Sequence, residues 1–488
     1  MTLDPQTPVL VGVGTVQQRA EDPSAAQEPL DLMERALRRA GEDAGDPGLL
    51  ARAGEILVPQ GFWDYADPAR ALATRLDATG ARSTLVQLGM LQTTLFGQAA
   101  QAIAEGRADI VLVAGGEAKY RSLRAQVEGV SAANSEQHTT PDTVLSPTAE
   151  IIHPFEIGHG LQMPVGQFSV IESALRFADG EDLDDHAEHI AQLWSRMSEV
   201  AAGNPEAWRP ERVPAADIRS TANGNRMLAF PYTKSHNSQW NVDQAAGLVF
   251  TSVATARAAG IPEARWIFPW TVVESSFMQP LAQRRELHRS MGFAAAGRRT
   301  YERIGRAADE IDHFELYSCF PSAVRVQCRE LGIDDKRALT VTGGMAFAGG
   351  PLNNFVLQAQ AKMAQVLRDA PGSVGMVNAV SGILNKQGVS IWSSEAPPRA
   401  FGYEDVSAEV ARDAGAAQLV EQATGAGRVS GYTVLFEGEE PAKAVLFCEL
   451  EDGSRVLASS PALARQGTRE ELCGRSVMLS DDGNVDLA

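Results

Sequence analysis

The stretch Val341–Phe355, VTGGMAFAGGPLNNF, decides how this chain is read. It holds the glycine pairs Gly343–Gly344 and Gly349–Gly350, then Pro351, and leads into a run of helical period from Asn353 to Leu367. Glycines need no room for a side chain and leave their N–H groups accessible. Such a loop therefore either approaches a ligand closely or lets two halves of a fold pack tightly together.

Working outward, the elements alternate. Ahead of the loop come an apolar strand near Trp266–Val273, a helix ending around Ile304, the strand Phe314–Leu316 and a helix over Ala323–Leu331; after it comes the strand Gly375–Val380. Nearer the start lie a strand at Pro8–Thr15 and a helix at Pro29–Ala40 stopped by Gly41. A helix at Leu91–Ala104 follows, stopped by Gly106, then the strand Asp109–Ala114, which ends in Gly115 and Gly116. A further helix is expected over Val242–Ala259. Buried strands flanked by helices indicate a layered α/β fold of two comparable halves, residues 1–258 and 259–400.

Two regions break the rhythm. Residues 121–232 turn to polar loops and shorter helices and hold five of the eight histidines, as an insertion over the first half would. Residues 407–488 change composition, with short alternating runs of Val, Tyr, Phe and Leu separated by EGEEPAK and EDGSR turns, and read as a separate small β-rich domain.

A chain of 488 residues, 44% of them hydrophobic, can bury substantial cores. A formal charge of −19 opposes nucleic-acid binding, which draws its affinity from Lys and Arg at phosphates. The cysteines Cys319, Cys328, Cys448 and Cys473 form no CxxC pair, so they are expected to be reduced thiols, with neither a disulfide framework nor a zinc site. No apolar run reaches membrane-spanning length and the start lacks a basic n-region followed by an h-region, so a cytoplasmic location is expected.

Several segments carry a family resemblance: GRADIVLVAGGEA from Gly106, GRRTYERIGRAADEIDHFELYSCF from Gly297, VTGGMAFAGGP, and MVNAVSGILNKQGVSIWSSEAPP from Met376. In order and spacing they resemble the thiolase superfamily over about the first 400 residues. FPYTKSHNSQWNVDQAAGLVF, from Phe230, and the added tail resemble its type-1-like group, actinobacterial proteins called acetyl-CoA acetyltransferases by homology. The resemblance implies a five-layer αβαβα fold with an added C-terminal β domain. It further implies acyl-CoA or a related small molecule as ligand, with no tightly bound cofactor. Thiolases pair through the first half's sheet while type-1-like members need not, so homodimer and monomer both stay open.

Thiolase catalysis needs a cysteine at a helix N-terminus and a histidine to take its proton. By the family's spacing the nucleophile slot falls on Gly89 beside Met90, and the GHP histidine slot on Gly350. The late proton-transfer slot falls on Gln387, with Asn378 opening the preceding strand turn. Thr93 and Thr94 are the nearest hydroxyls and are read as ordinary helix residues. In ELYSCF, Tyr317 and Ser318 stand in the His and Asp slots of the family's HDCF motif, and Cys319 follows as that motif's cysteine. A phenol can donate to an oxyanion or act as acid or base; Gln cannot transfer protons near neutral pH. Gly89, Gly350 and Gln387 together exclude a Claisen condensation through an enzyme thioester. The implied site is Tyr317, Ser318 and Cys319 for chemistry, with Gly89, Met90, Gly343, Gly344, Gly350, Asn378 and Gln387 lining the substrate.

Three readings remain. One is an acyl-CoA-associated protein with a degenerate catalytic set. Another is a C–C lyase cleaving a β-hydroxyacyl thioester with Tyr317; retro-aldolases of the superfamily lack the cysteine, use tyrosines and work with an OB-like partner domain, which invites comparison with the tail. The last is an interaction protein that docks partners through residues 407–488. His186 and His189 at i,i+3 form a weak metal signal and are read as solvated helix residues. Gly12 and Gly14 lack the third glycine of a dinucleotide fingerprint. CoA phosphates call for a basic or polar contact, and Arg121, Arg124, Lys234 and Arg226 lie in the insertion that would cover that site; the sequence assigns none of them to it.

Overall fold

The computed structural model describes residues 3–148, 151–480 and 485–488. One sheet has six strands in the order Pro8–Gln17, Asp243–Ser252, Ile110–Ala118, Glu55–Pro59, Arg82–Val86 and Thr143–Leu145. A second has five, in the order His313–Glu315, Val374–Ser381, Lys386–Ser393, Phe268–Ser275 and Gly402–Asp405. The helices Thr93–Ala104 and Phe355–Asp369 lie between them and touch both sheets. Pro29–Ala44 and Pro68–Arg75 cover the outer face of the first sheet, and Met291–Ile304 packs on the second with Pro321–Leu331 beside it. The result is the five-layer αβαβα arrangement.

Sequence periodicity misassigns one central element. Asp243–Ser252, expected as part of a helix, is a strand with every residue buried, paired on one edge with Pro8–Gln17 and on the other with Ile110–Ala118. Helices pack on both of its faces, so no polar face survives to display a period of two. Only Val253–Ala258 is helical. Smaller differences share that cause. The first helix runs to Ala44 and ends at Gly45 in the left-handed region, leaving Gly41 buried within it. Gly115 and Gly116 lie inside the Ile110–Ala118 strand rather than ending it. A Cβ on Gly12 or Gly14 would fall on helix backbone at Ala40 or Ala36, so these glycines serve close strand–helix packing.

Residues 121–232 contain long helices, Pro164–Asp179 and Leu183–Ala202, alongside short pieces. The tail forms a sheet in the order Arg455–Ser460, Glu440–Leu450, Gly425–Glu437, Ser476–Leu479 and Val485–Leu487. That sheet also takes the strand Met227–Phe230 from the insertion, at Val434↔Phe230. Pro164–Asp179 packs against it and sends Arg176, wholly buried, to Glu471 at 2.7 Å and the Tyr432 hydroxyl at 3.1 Å. Among the described residues no helix is long and apolar enough to cross a membrane.

Removing Glu471 would leave the buried Arg176 cation without a counter-charge, although Glu471 itself keeps some solvent contact. Glu471→Ala is therefore expected to cost about 2 kcal/mol in urea unfolding followed in the tail. Glu440→Ala, which breaks the exposed Arg465–Glu440 pair, is expected to cost less than about 0.5 kcal/mol.

Candidate functional site

The strand Lys386–Ser393 sets the site, because alternate side chains point to opposite faces. Gly388 lies opposite Glu274 of Phe268–Ser275, and Gln387 lies opposite Ser275. Lys386, Gly388 and Glu274 therefore share the face turned to the helix Thr93–Ala104, and Gln387 points the other way. There the Gln387 amide donates to Leu384 O at 2.5 Å and covers Gly292. Lys386, one residue before the position that spacing suggested, is the residue of this stretch that faces the Thr93–Ala104 helix. A one-residue offset along a strand exchanges the two faces.

Lys386 Nζ donates to the carbonyl oxygen of Gly89 at 2.7 Å. An ammonium group stands at the nucleophile slot. Gly89 has φ +95°, a conformation that suits glycine, and a Cβ there would meet Pro147 at 3.1 Å. Burial lowers the Lys386 pKa, opposed by the negative field of Glu274.

Glu274 lies beneath this amine, buried on all sides. Its carboxylate accepts hydrogen bonds from the hydroxyls of Thr93, of Thr94 at 3.0 and 3.1 Å, and of Tyr403 at 2.7 Å. The threonines thus bond across to the second half of the fold and not locally within their helix. Gly388, lacking a Cβ, lets Thr93 come close. Burial raises the Glu274 pKa to about 7 even though the three hydroxyls favour its charged form.

A second cluster holds the glycine loop. Glu315 is buried and accepts the Thr340 and Thr342 hydroxyls and the backbone N–H groups of Val341 and Thr342, all at 2.9 to 3.0 Å. Burial still lifts its pKa to about 7. Ser318 Oγ accepts the N–H of Met345 at 3.0 Å and lies beside Gly344. Gly343 has φ +105°, and a Cβ there would fall on Ala201 of the Leu183–Ala202 helix. Close packing is what these two glycines provide.

Tyr317 is clamped through its backbone. Gln327 accepts its N–H at 3.1 Å and donates to its carbonyl at 2.9 Å, and Asn378 donates to Gln327 at 3.1 Å. The ring meets Phe355 edge-on and stays partly exposed; among the described residues nothing hydrogen-bonds the hydroxyl. Burial raises this phenol's pKa well above its ordinary value, so it stays protonated at neutral pH and can donate a hydrogen bond.

Other sequence candidates separate from this centre. Cys319 is buried and its thiol pKa is pushed far up, so it is a protonated core residue. Gly350 abuts Ser238 and Met345 and donates its N–H to Gln239 O at 2.8 Å. Met90 packs partly buried against the core. His186 is buried against Glu172 at 3.1 Å and His189 bridges Glu181 and Asp335, both at 2.7 Å; among the described residues no group could hold a metal. Arg121 is spent on Asn134 and Ala133, and Arg124 on Glu128. Lys234 is different, because it lines a cavity of about 720 Å³ with Arg19, Gln239 and Ala346 of the glycine loop. Sequence reasoning missed Lys386, Glu274, Tyr403 and Glu315; the NKQG string held Lys386 one residue from the residue chosen.

Glu274 binds its proton more tightly in the folded chain than in the unfolded one, so its contribution to stability is present below about pH 4.5 and lost as pH rises through about 7. Glu274→Gln keeps an acceptor without this titration. Relative to the parent it should gain about 3 kcal/mol between pH 4.5 and 8, read from thermal midpoints across that range. Gly343→Ala is expected to destabilise by about 2 kcal/mol or more in denaturant titration, from strained backbone and overlap with Ala201.

No family model and no curated protein matches the sequence. Among solved structures, a monomeric SCP2-thiolase-like protein type 1 from Mycobacterium smegmatis is 26% identical, with a TM-score of 0.83 and 100% of both chains covered. An Ltp2-ChsH2(DUF35) aldolase is 17% identical, TM-score 0.59, covering 80% of this chain and 99% of that one. An acetyl-CoA acetyltransferase from Syntrophomonas wolfei is 16% identical, TM-score 0.58, covering 80% of this chain and 100% of that one. These last two share the fold. The end-to-end match, tail included, makes this chain a member of the thiolase-like superfamily.

Proposed function

We propose that the protein binds an acyl-CoA or a related acyl compound in the thiolase-type cleft and forms no cysteine thioester with it. The observation that carries this reading is the Lys386 ammonium bonded to the Gly89 carbonyl, where acyl transfer would need a thiolate. All four cysteines are buried and their thiol pKa values are raised, which leaves no substitute nucleophile of that kind. The cavity beside the glycine loop supports the ligand class. Lys234 and Arg19 line it, and no carboxylate pairs with Lys234 among the described residues, so its charge is free for a phosphate.

One observation favours a second reading, a lyase acting on a β-hydroxyacyl thioester. The Tyr317 phenol is protonated, has no hydrogen-bond partner among the described residues, and stands on a backbone fixed by Gln327. A phenol so held hydrogen-bonds the thioester carbonyl oxygen as the Cα–Cβ bond breaks and its electron pair passes to Cα, while the β-hydroxyl proton goes to solvent water.

Titration calorimetry with CoA and a panel of acyl-CoAs is expected to give saturable heat in the micromolar range, weakened about tenfold by Lys234→Glu. Intact mass should be unchanged after incubation with acetyl-CoA; silence across the panel, or a covalent acyl adduct, removes the reading. Under the lyase reading, steady-state cleavage of β-hydroxyacyl-CoA falls by about a hundredfold or more in Tyr317→Phe with KM little changed. No turnover by the parent protein eliminates it.

A further inference from the structure

Away from the Gly89 centre, a cavity of about 640 Å³ opens where the tail meets the second half. Its walls come from the loop before the Met291–Ile304 helix, from Asn385 and Gln387 on the outward face of the Lys386–Ser393 strand, from the Ser407–Asp413 helix, and from Glu449, Gly453 and Arg455 of the tail. The volume is that of a small-molecule site. No sequence motif marked it, since its walls come from four separated stretches of chain.

Its charges are unequally matched. Arg289 pairs with Glu330 and Arg455 pairs with Glu449 at 2.9 Å, while Asp413 is held by Arg412. Among the described residues Arg284 has no such partner. It is 7% exposed, it spends one terminal nitrogen on the carbonyl of Ile383, and its other terminal nitrogen has no hydrogen-bond partner among the described residues. Burial pulls its pKa down to about 10, opposed only by the field of Glu156, which itself accepts the N–H groups of Ala282 and His153. Arg285 stands next to it on the same wall, exposed and in no ion pair among the described residues. A buried guanidinium without a counter-ion is costly, and folds retain one where an anion completes it. The wall also carries apolar side chains, Phe277, Met291, Leu384, Val410 and Ala417, alongside polar ones that include Glu286 and Asn385.

We propose that this cavity is a second ligand site, for an amphipathic small-molecule anion whose carboxylate or phosphate head pairs with Arg284 and Arg285 while its apolar body lies along Phe277, Leu384 and Val410. The planar guanidinium suits either head group by two parallel hydrogen bonds. The site is independent of the acyl-CoA reading. Gln387 lies on its wall while Lys386, the next residue, faces Gly89, so a bound anion sits one strand thickness from the vacated nucleophile slot.

The test is titration calorimetry on the full chain with decanoate, decyl phosphate and decanol, alongside thermal unfolding. Saturable one-to-one binding of decanoate or decyl phosphate is expected, with the tighter of the two identifying the head group, and decanol should bind at least about tenfold more weakly. Arg284→Met should weaken the anion by about tenfold or more while leaving the ligand-free thermal midpoint unchanged or higher, because it removes an uncompensated buried charge. Arg285→Ala, at an exposed position, should weaken it by a smaller factor with no change in folding. The proposal is overturned if neither anion binds, if decanol binds equally well, or if both arginine variants bind as the parent does.

Discussion

One buried ion pair ties the inserted region to the second half of the fold. Glu172, on the Pro164–Asp179 helix of the insertion, accepts Arg325 of the second half at 2.7 Å, His186 at 3.1 Å and the Tyr232 hydroxyl at 2.5 Å. Burial would raise the Glu172 pKa, yet the Arg325 charge and the hydrogen bonds hold it near 2. Arg325 also reaches Asp179 and Glu181 at 2.8 and 2.9 Å. Such a network adds little net stability over an apolar core, but every partner becomes indispensable once the charges are inside. The same helix turns its other side to the tail through Arg176 and through Ser173, whose hydroxyl accepts the N–H of Tyr432 at 2.9 Å. Insertion, second half and tail are thereby fixed to a single rod.

At the candidate site between the two sheets, an amine and a buried carboxyl group occupy one layer. Lys386 contributes a positive charge and Glu274, half-protonated near pH 7, contributes a variable negative one. The two sit on adjacent strands, on one face of the second sheet, and the field of Glu274 acts on Lys386. The opposite face of the Lys386–Ser393 strand borders the arginine-lined cavity, so both candidate sites share a wall whose backbone is paired on both edges.

Much of the layer structure was legible in the residues. Helices such as Pro321–Leu331 and strands such as Val374–Ser381 announce themselves through apolar period and flanking glycine or proline. The Asp243–Ser252 strand does not, because burial on both faces erases the alternation that separates strand from helix. In the candidate site, Tyr317 and Ser318 were named from the ELYSCF string, which follows directly on a strand. Sequence spacing named Gln387 and not Lys386, because which of two neighbours faces the Thr93–Ala104 helix depends on register with the adjoining strands, and register is a property of the sheet.

By itself the sequence determined the composition of layers, the absence of any cysteine before Cys319, and a glycine loop at Gly343–Gly350 able to accept a close approach; that the Leu183–Ala202 helix makes this approach is a property of the tertiary structure. What the sequence determined follows from local rules: period, backbone freedom and the presence or absence of a residue type. Only the tertiary structure decided that Lys386 meets Gly89, that Thr93, Thr94 and Tyr403 converge on Glu274, and that Arg284 is buried without a counter-charge. Those groups come from separate stretches of chain, and which of them meet is settled by packing one sheet against a helix layer and the tail against both.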